Sequence, residues 1–175
     1  MKTVKIKTER LLLRKMHFCD LFYAKKWYCS DKVTRFSQGK PVPSFYNLFL
    51  FYLRTVYHYY LRKNPYSLWA ITLDGKMIGF VRMMPFKNGE NALLYYMLDP
   101  KEQKKGYATE SVKALIDYAF SCGIKNVCAN CDTNNTASYN LLKNCGLTHF
   151  KTVENVYHYP DGRTGDRAYF KIEKD

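Results

Sequence analysis

Short stretches in which apolar and polar residues alternate lie between longer stretches in which apolar residues recur every three or four positions. The first spacing is typical of half-buried strands, and the second is typical of helices packed on a core. Along the chain these patterns follow the order β α α β β β α β α β β. This order predicts a single α+β domain over residues 1–175, with a mixed, mostly antiparallel central sheet flanked by helices.

Turn and cap residues divide the chain between these elements. Asp74-Gly75 is a hairpin signal, and Gly123 and Gly146 mark the ends of the last two helices. The predicted elements are, in order, a strand at Thr8–Arg14, helices at Phe18–Asp31 and Phe45–Lys63, strands at Leu68–Leu73, Lys76–Met83 and Ala92–Leu98, a helix from Gly106 to Ala119, a strand at Asn126–Cys131, a helix at Asn135–Asn144 and a hairpin around Pro160–Gly162.

Positive charge is concentrated in the first part of the chain. The net charge is +13 overall, and residues 1–75 hold 14 Lys and Arg against 4 Asp and Glu, a net charge of +10. This imbalance favours an anionic partner, such as an acidic protein or a ribosomal target. The aromatic helix at Phe45–Lys63, which also holds Arg54, could instead bind nucleic acid by stacking, although such rings more often serve packing.

The sequence contains no stretch that predicts insertion into a membrane. Charges interrupt every apolar run near the amino terminus, so we expect no secretion signal and a cytoplasmic location. The longest apolar run, Leu48–Leu53, is far shorter than the ~20 residues that span a bilayer. In that compartment the six cysteines are expected to be reduced thiols.

The stretch from Leu98 to Glu110 has the composition of an anion-binding loop. A strand end, a short basic loop and a helix that opens on Gly106-x-Ala108 follow one another, and Lys104 and Lys105 add positive charge. Small residues let backbone amides approach a phosphate, and the positive end of the helix dipole points the same way. A plain solvated turn is the alternative. The sequence contains neither G-x-x-x-x-G-K-[ST] nor G-x-G-x-x-G. Their absence argues against P-loop nucleotide hydrolysis and against dinucleotide binding.

The same loop resembles the hallmark of the GNAT superfamily of acetyl-CoA-dependent N-acetyltransferases. The hallmark reads Gln103-x-x-Gly106-x-Ala108 in this chain. Within that superfamily the sequence is similar to the RimJ/RimL-like branch, the ribosomal-protein-alanine N-acetyltransferases and their relatives. The further motifs that carry this similarity are Thr8-Glu9-Arg10-Leu11-x-Leu13-Arg14, Leu98-Asp99-Pro100, Gly106 to Glu110, Asn135 to Ser138, and Cys145-Gly146-Leu147.

The resemblance implies a GNAT-type acyl-CoA N-acyltransferase fold and direct attack of a primary amine on acetyl-CoA in a ternary complex. The acceptor would be a protein N-terminal α-amine or a small molecule such as a polyamine or an aminoglycoside, and another acyl-CoA could replace acetyl-CoA. A non-catalytic CoA-binding or RNA- or ribosome-binding module on a degenerate fold is the alternative. The sequence leaves monomer and homodimer open.

The resemblance also implies roles for individual residues. Residues implied to bind acetyl-CoA are Met97, Leu98, Gln103, Lys104, Lys105, Gly106, Tyr107, Ala108, Thr109, Asn135 and Ser138. Ser138 would also protonate the departing thiolate, and Tyr96 and Glu90 complete the expected catalytic set. Capping of a helix is a sufficient alternative reason for Asn135 and Ser138.

Two departures from the family pattern leave the proton-transfer residues open. Leu93 stands where relatives often carry a glutamate, a candidate base, and Leu142 stands where many carry a tyrosine as general acid. The remaining base candidates are Glu90, Tyr95, Tyr96, Tyr157 and His158. Bulk water could also accept the proton.

A metal site is not expected. Cys128 and Cys131 lie three residues apart within a predicted strand, where side chains alternate, so the two thiols point to opposite faces and cannot chelate one ion. His17, His58 and His149 show no ligand spacing.

Overall fold

One eight-stranded sheet runs through the computed structural model, which describes residues 4–28, 36, 45–60, 68–86, 89–159, 162 and 164–174. The elements within these residues are β1 (Ile6–Lys7), β2 (Leu12–Lys15), α1 (Asp20–Tyr28), α2 (Phe45–Tyr60), β3 (Trp69–Leu73), β4 (Lys76–Phe86), β5 (Asn91–Leu98), a 3₁₀ turn (Pro100–Glu102), α3 (Tyr107–Ser121), β6 (Asn126–Asp132), α4 (Thr136–Asn144), β7 (Thr148–His158) and β8 (Thr164–Glu173). The strand order is β1-β2-β3-β4-β5-β6-β8-β7. The predicted α+β class with a mixed, mostly antiparallel sheet is confirmed.

The parallel pair β5–β6 is the irregular place in this sheet. All other neighbouring strands are antiparallel, whereas β5 and β6 run in the same direction because α3 carries the chain back between them. Their pairing stops after Leu93↔Cys128, although β5 continues to Leu98 and β6 to Asp132. The two strands therefore separate at their carboxyl ends and leave an opening in the middle of the sheet.

Two apolar clusters cover the two faces of the sheet. Helices α3 and α4 pack on one face through a core that includes Val112, Leu115 and Leu142, all fully buried. Helices α1 and α2 pack on the other face near β4, where Trp27 and Phe80 stack with ring centroids 6.5 Å apart. The opening between β5 and β6 therefore has α3 and α4 on one face of the sheet, and α1 and α2 near β4 on the other face.

The predicted strand at Thr8–Arg14 is wrong in its first half. Backbone pairing is interrupted between β1 and β2 because Thr8 and Leu11 close a turn, in which the Thr8 backbone N–H donates to the Leu11 carbonyl at 3.0 Å. The Leu11 backbone N–H in turn donates to the Thr8 hydroxyl at 3.0 Å. A threonine with these local partners favours a turn over a strand.

The other predicted elements are present with small shifts at their ends. Asp74 and Gly75, both at positive φ, join β3 to β4 in the predicted hairpin. The predicted helix end at Lys63 lies outside the described residues, as do Pro160 and Asp161 of the last hairpin. Antiparallel pairing of β7 with β8 confirms that hairpin.

Within the described residues, no helix is both long and apolar enough to cross a lipid bilayer. That the whole of residues 1–175 forms one domain stays a prediction.

Candidate active site

The chain between β5 and α3 presents free backbone amides at the start of a helix. Asp99 caps the 3₁₀ turn by accepting from the Lys101 backbone N–H at 2.9 Å, and Lys104 then takes a positive φ of 63°. Gly106, at φ 83°, is the N-cap of α3 and has no side chain to satisfy the first-turn N–H groups. Four N–H groups at a helix start lack intrahelical partners, so this end of α3 suits an anion.

The segment before β2 fixes this loop from the side. The Arg10 guanidinium pairs with Glu110 of α3 at 2.7 Å, donates to the Lys105 carbonyl at 3.0 Å and lies over the Tyr107 ring at 4.7 Å. Thr8 donates to the same carboxylate at 2.5 Å. Burial alone raises the pKa of Glu110, but hydrogen bonds from Thr8 and Arg10 hold it below its usual value. Arg10 therefore links the loop, α3 and the amino-terminal turn.

The charged and polar side chains of the loop have different partners. Lys105 forms an ion pair with Glu102 at 2.9 Å, so part of its charge is balanced within the loop. Lys104 is exposed and precedes it. The Gln103 side chain donates to the Leu98 carbonyl at 3.4 Å, which ties the loop to the end of β5. The structure thus brings the predicted loop residues next to Met97 and Leu98, at the opening in the sheet.

Ser138 and Tyr96 meet beside this opening. Ser138 lies in the first turn of α4, because the Asn135 side chain caps that helix by accepting from the Ser138 backbone N–H at 3.2 Å. The Tyr96 hydroxyl of β5 lies 2.5 Å from the Ser138 hydroxyl, and either can be the donor. The cap uses the Asn135 carbonyl oxygen, so its amide N–H groups are the part that can serve a ligand.

Burial shifts the proton affinities around these two hydroxyls. Burial raises the pKa of Tyr96 well above its usual value, despite the opposing hydrogen bond with Ser138. Burial also raises the pKa of Cys131 to about 11, and Ser138 hydrogen-bonds this thiol as well. Tyr96 and Cys131 therefore stay protonated near neutral pH, on either side of the Ser138 hydroxyl.

The structure does not bring Glu90 to the other expected catalytic residues. Glu90 precedes β5 at the closed end of the β5–β6 pair, and it forms an exposed ion pair with Lys125 at 2.6 Å. Six residues of extended strand separate it from Tyr96, about 20 Å. The strand therefore carries the Glu90 carboxylate away from the opening and from the Tyr96 and Ser138 hydroxyls.

The remaining base candidates are also dispersed. Tyr95 is exposed and lies on the opposite face of the sheet from Tyr96. Tyr157 is buried, with the Arg167 guanidinium 4.6 Å above its ring, and burial raises its pKa. His158 is exposed in β7. None of these three contacts the Tyr96 and Ser138 hydroxyls in the hydrogen bonds described for the chain.

The contacts of three residues in this region were not predicted from the sequence. Arg10 meets Glu110 one hundred residues along the chain, and no local pattern marks such a contact. Cys131 faces Ser138, whereas Cys128 lies on the other face of β6, as strand alternation predicts. Asp132 ends β6 at the opening, and an acidic residue at the carboxyl end of a central strand was the available signal.

The described residues contain no group of three or more His, Cys, Asp or Glu side chains that could hold a metal ion.

Comparison with known proteins gives a family match over most of the chain. Residues 10–148 match the family model described as an acetyltransferase (GNAT) domain. FsC-acetyl coenzyme A-N(2)-transacetylase of Aspergillus fumigatus is 29% identical to this chain over 54% of the chain and 44% of that enzyme. The chain spans less than half the length of the curated relatives that it matches, 44% and 42%.

Solved structures share the fold along nearly the whole chain. A GNAT family acetyltransferase from Bacillus anthracis superposes with a TM-score of 0.83 at 22% identity, covering 97% of this chain and 98% of that chain. RimL, a ribosomal L7/L12 α-N-protein acetyltransferase, superposes with a TM-score of 0.84 at 19% identity, covering 98% and 99%. That RimL structure contains coenzyme A joined to one of its cysteines by a disulfide.

Proposed function

The chain belongs to the acetyltransferase (GNAT) domain family, and on this premise we propose that it transfers the acetyl group of acetyl-CoA to a primary amine. The observation that carries this proposal is the contact of the Tyr96 and Ser138 hydroxyls, 2.5 Å apart, at the place where β5 and β6 separate. An uncapped helix start can hold the phosphates of a thioester cosubstrate, and a protonated hydroxyl pair can supply a proton to its leaving thiolate.

The residues present fit acetyl-CoA as the cosubstrate. The uncapped start of α3, at Gly106 to Thr109, would hold the pyrophosphate through backbone N–H groups, with Lys104 and Lys105 adding charge. The backbone of Met97 and Leu98 lies beyond the last β5–β6 pair and would bond the pantetheine arm, assisted by the Asn135 amide. When bound, acetyl-CoA supplies a thioester carbonyl for the amine to attack and a thiolate as leaving group.

Ser138 and Tyr96 would together supply the proton for that thiolate. Ser138 lies in the first turn of α4. Tyr96 supports it, because the Tyr96 hydroxyl stays protonated and contacts the Ser138 oxygen. A positioned acid of this kind contributes about 10²–10⁴-fold to a rate, and positioning of the amine contributes further.

For the acceptor we propose a protein N-terminal α-amine. An α-amine has a pKa of about 8 and is partly unprotonated at neutral pH, whereas a lysine side chain at about 10.4 is not. RimL, which shares the fold, carries the name of an α-N-protein acetyltransferase of a ribosomal protein. The net charge of +10 over residues 1–75 supports an acidic or ribosomal protein as the bearer of that amine. A RimJ/RimL-like assignment and a cytoplasmic location are parts of the same proposal.

The experiment combines binding and turnover on the same protein. Acetyl-CoA is titrated while the melting temperature is followed, and free CoA is then quantified by mass spectrometry with Ser- and Ala-starting peptides, spermine and an aminoglycoside as acceptors. Direct detection of CoA is preferable to a thiol reagent, because Cys19 and Cys122 are exposed thiols.

The outcomes separate the two functions. A melting shift together with CoA release that depends on a peptide supports the transferase. A melting shift without release for any amine would support the non-catalytic CoA-binding module instead. The absence of any shift at millimolar acetyl-CoA would contradict both.

A further inference from the structure

Asp132 is the last residue of β6, and only one of its two carboxylate oxygens accepts a hydrogen bond from a described residue. Its side chain is buried, with 1% of its surface exposed. The Oδ1 atom accepts from the Asn134 backbone N–H at 2.7 Å and so fixes the turn that leads to Asn135 and α4. The Oδ2 atom is buried and accepts no hydrogen bond within the part of the chain that the structure describes.

A buried carboxylate oxygen without a donor is costly, and it usually indicates a missing partner. The neighbouring cation does not supply it. Arg167 lies directly across from Asp132 in β8, yet its guanidinium hydrogen-bonds Tyr157 and Tyr169 and lies over the Tyr157 ring. No ion pair between Arg167 and Asp132 occurs among the described residues. The hydrogen bond that fixes the turn after β6 therefore explains the position of Oδ1 but not that of Oδ2.

Asp132 lies at the opening between β5 and β6, on the face of the sheet away from Ser138. Continuing the register Leu93↔Cys128 along the separated strands sets Cys131 opposite Tyr96 and Asp132 opposite Met97. Cys131 and Tyr96 face α4, where Ser138 contacts both. Asp132 alternates to the other face, the one that α1 and α2 cover at Phe80 and Met97. The carboxylate thus lies on the opposite side of the opening from the proposed proton donor.

The β8 backbone at Gly165 packs closely against the Oδ2 atom of Asp132 because Gly165 has no side chain. A Cβ on Gly165 would come within 2.8 Å of Asp132 Oδ2 and 3.2 Å of the Tyr159 hydroxyl. Gly165 pairs with Tyr157 and its φ lies outside the left-handed region, so its backbone conformation does not demand glycine. The close approach of this backbone to Asp132 is the feature that a side chain here would disturb.

We propose that Asp132 Oδ2 binds the acceptor amine, by accepting a hydrogen bond from the nitrogen that attacks the thioester. The inference rests on the transferase function proposed above and names the residue that orients its second substrate. A carboxylate on the α1 and α2 side would direct the nitrogen to the carbonyl, while the departing sulfur faces Ser138 on the other side. The ligand class is a primary amine, with an N-terminal α-amine as the first to test.

The test compares Asp132→Asn with Asp166→Asn. Asparagine at 132 keeps an oxygen for the Asn134 N–H and replaces Oδ2 by a donor, so the turn persists while the acceptor for an amine is lost. Asp166 offers a matched control, since its Oδ1 accepts from the Asn155 backbone N–H in the neighbouring hairpin. The probes are a Ser-starting tetrapeptide and its N-acetylated form, whose binding to the CoA-loaded protein is measured by calorimetry alongside steady-state kinetics.

For Asp132→Asn we expect KM for the free-amine peptide to rise by about tenfold or more, because one charged hydrogen bond is lost. The KM for acetyl-CoA and the affinity for the N-acetylated peptide should stay within about twofold, and Asp166→Asn should match the wild type. Gly165→Ala should also raise KM for the peptide selectively, because its Cβ would press on Asp132 Oδ2 and displace it. This second variant keeps the test decisive if Asp132→Asn folds poorly.

Unchanged peptide kinetics in a folded, active Asp132→Asn protein would overturn this inference and leave the transferase function intact. An equal loss for acetyl-CoA and for both peptides would also overturn it, because it would show that Asp132 acts through α4 only. Failure of the wild type to acetylate any amine would instead overturn the proposed function, and the inference with it.

Discussion

The Tyr96 hydroxyl of β5 and the Ser138 hydroxyl of α4 lie 2.5 Å apart across the opening of the sheet. Ser138 reaches this place because Asn135 caps α4, and Tyr96 reaches it because β5 continues past its last pair with β6. A residue at the start of a helix and a residue near the end of a strand thus form one hydrogen-bonded pair of hydroxyls, which we propose as the proton donor.

Ser138→Ala should lower kcat by about 10- to 100-fold and leave KM for acetyl-CoA nearly unchanged. The hydroxyl acts on the leaving thiolate, whereas the backbone N–H that Asn135 caps is retained in alanine. Tyr96→Phe should lower kcat by a smaller factor, because Ser138 then loses its supporting hydroxyl. Steady-state kinetics of both variants test this, with melting temperatures as the check on folding. An unaltered kcat for Ser138→Ala would reduce that residue to its place in the capped turn.

Gly106→Glu should abolish acetyl-CoA binding. A Cβ at this left-handed position would lie 3.1 Å from the Arg10 guanidinium, and the added carboxylate would repel the phosphates. Gly123→Glu is the matched control, since Gly123 also has a positive φ but a Cβ there would meet no heavy atom within 4 Å. Acetyl-CoA should therefore raise the melting temperature of the control and not that of Gly106→Glu. Equal responses would remove the phosphate assignment from this loop.

Asp20→Asn should destabilise the fold by about 3–5 kcal/mol. Asp20 is fully buried and forms an ion pair with Arg14 at 2.7 Å, so its neutralisation leaves a cation without its partner. The hydrogen bond with Asp20 also raises the pKa of Arg14, which keeps that cation charged. The control is Glu173→Gln, which breaks the exposed pair with Lys171 and should change stability by at most about 1 kcal/mol. Urea unfolding measures the free energy of unfolding of the two variants. Similar losses of stability would contradict the expected difference between the buried and the exposed ion pair.

Stability should fall as pH rises from about 9 to 11. Burial raises the pKa of Cys131 and of Cys145 from 9.0 to about 11. The unfolded chain then releases these protons at a lower pH than the folded chain does, so the free energy of unfolding is largest below pH 9 and decreases through this window. Cys145→Ala should show a shallower decrease than the wild type when unfolding is followed at several pH values. Identical slopes would show that the buried thiol does not titrate with folding.

The sequence predicted the fold well where the signals are local. Asp74-Gly75 marked a hairpin, Gly106 marked the start of α3, and apolar spacing located the helices on both sides of the sheet. The turn at Thr8 was missed because it depends on hydrogen bonds between Thr8 and Leu11, to which the contact of Thr8 with the distant Glu110 is added. Propensity alone favoured a continuous strand there, and these hydrogen bonds favour a turn instead.

The site could be predicted only in part for a similar reason. The loop from Gln103 to Thr109 is contiguous, so its residue types indicated an anion, and family likeness indicated Ser138. Glu90 was a base candidate just before the predicted strand Ala92–Leu98, yet its distance from the opening depends on the register of β5 with β6. Asp132 could not be placed from the sequence, because residue spacing does not show which strand ends lie at the opening.

The most direct measurement of the central claim is mass analysis of a Ser-starting peptide after incubation with acetyl-CoA and either the wild-type protein or Ser138→Ala. We expect the wild type to add one acetyl group to the α-amine, to release one CoA for each peptide modified, and to do so at least about tenfold faster than the variant. Acetyl-CoA binding without acetylation of this or any other amine would contradict the transferase function.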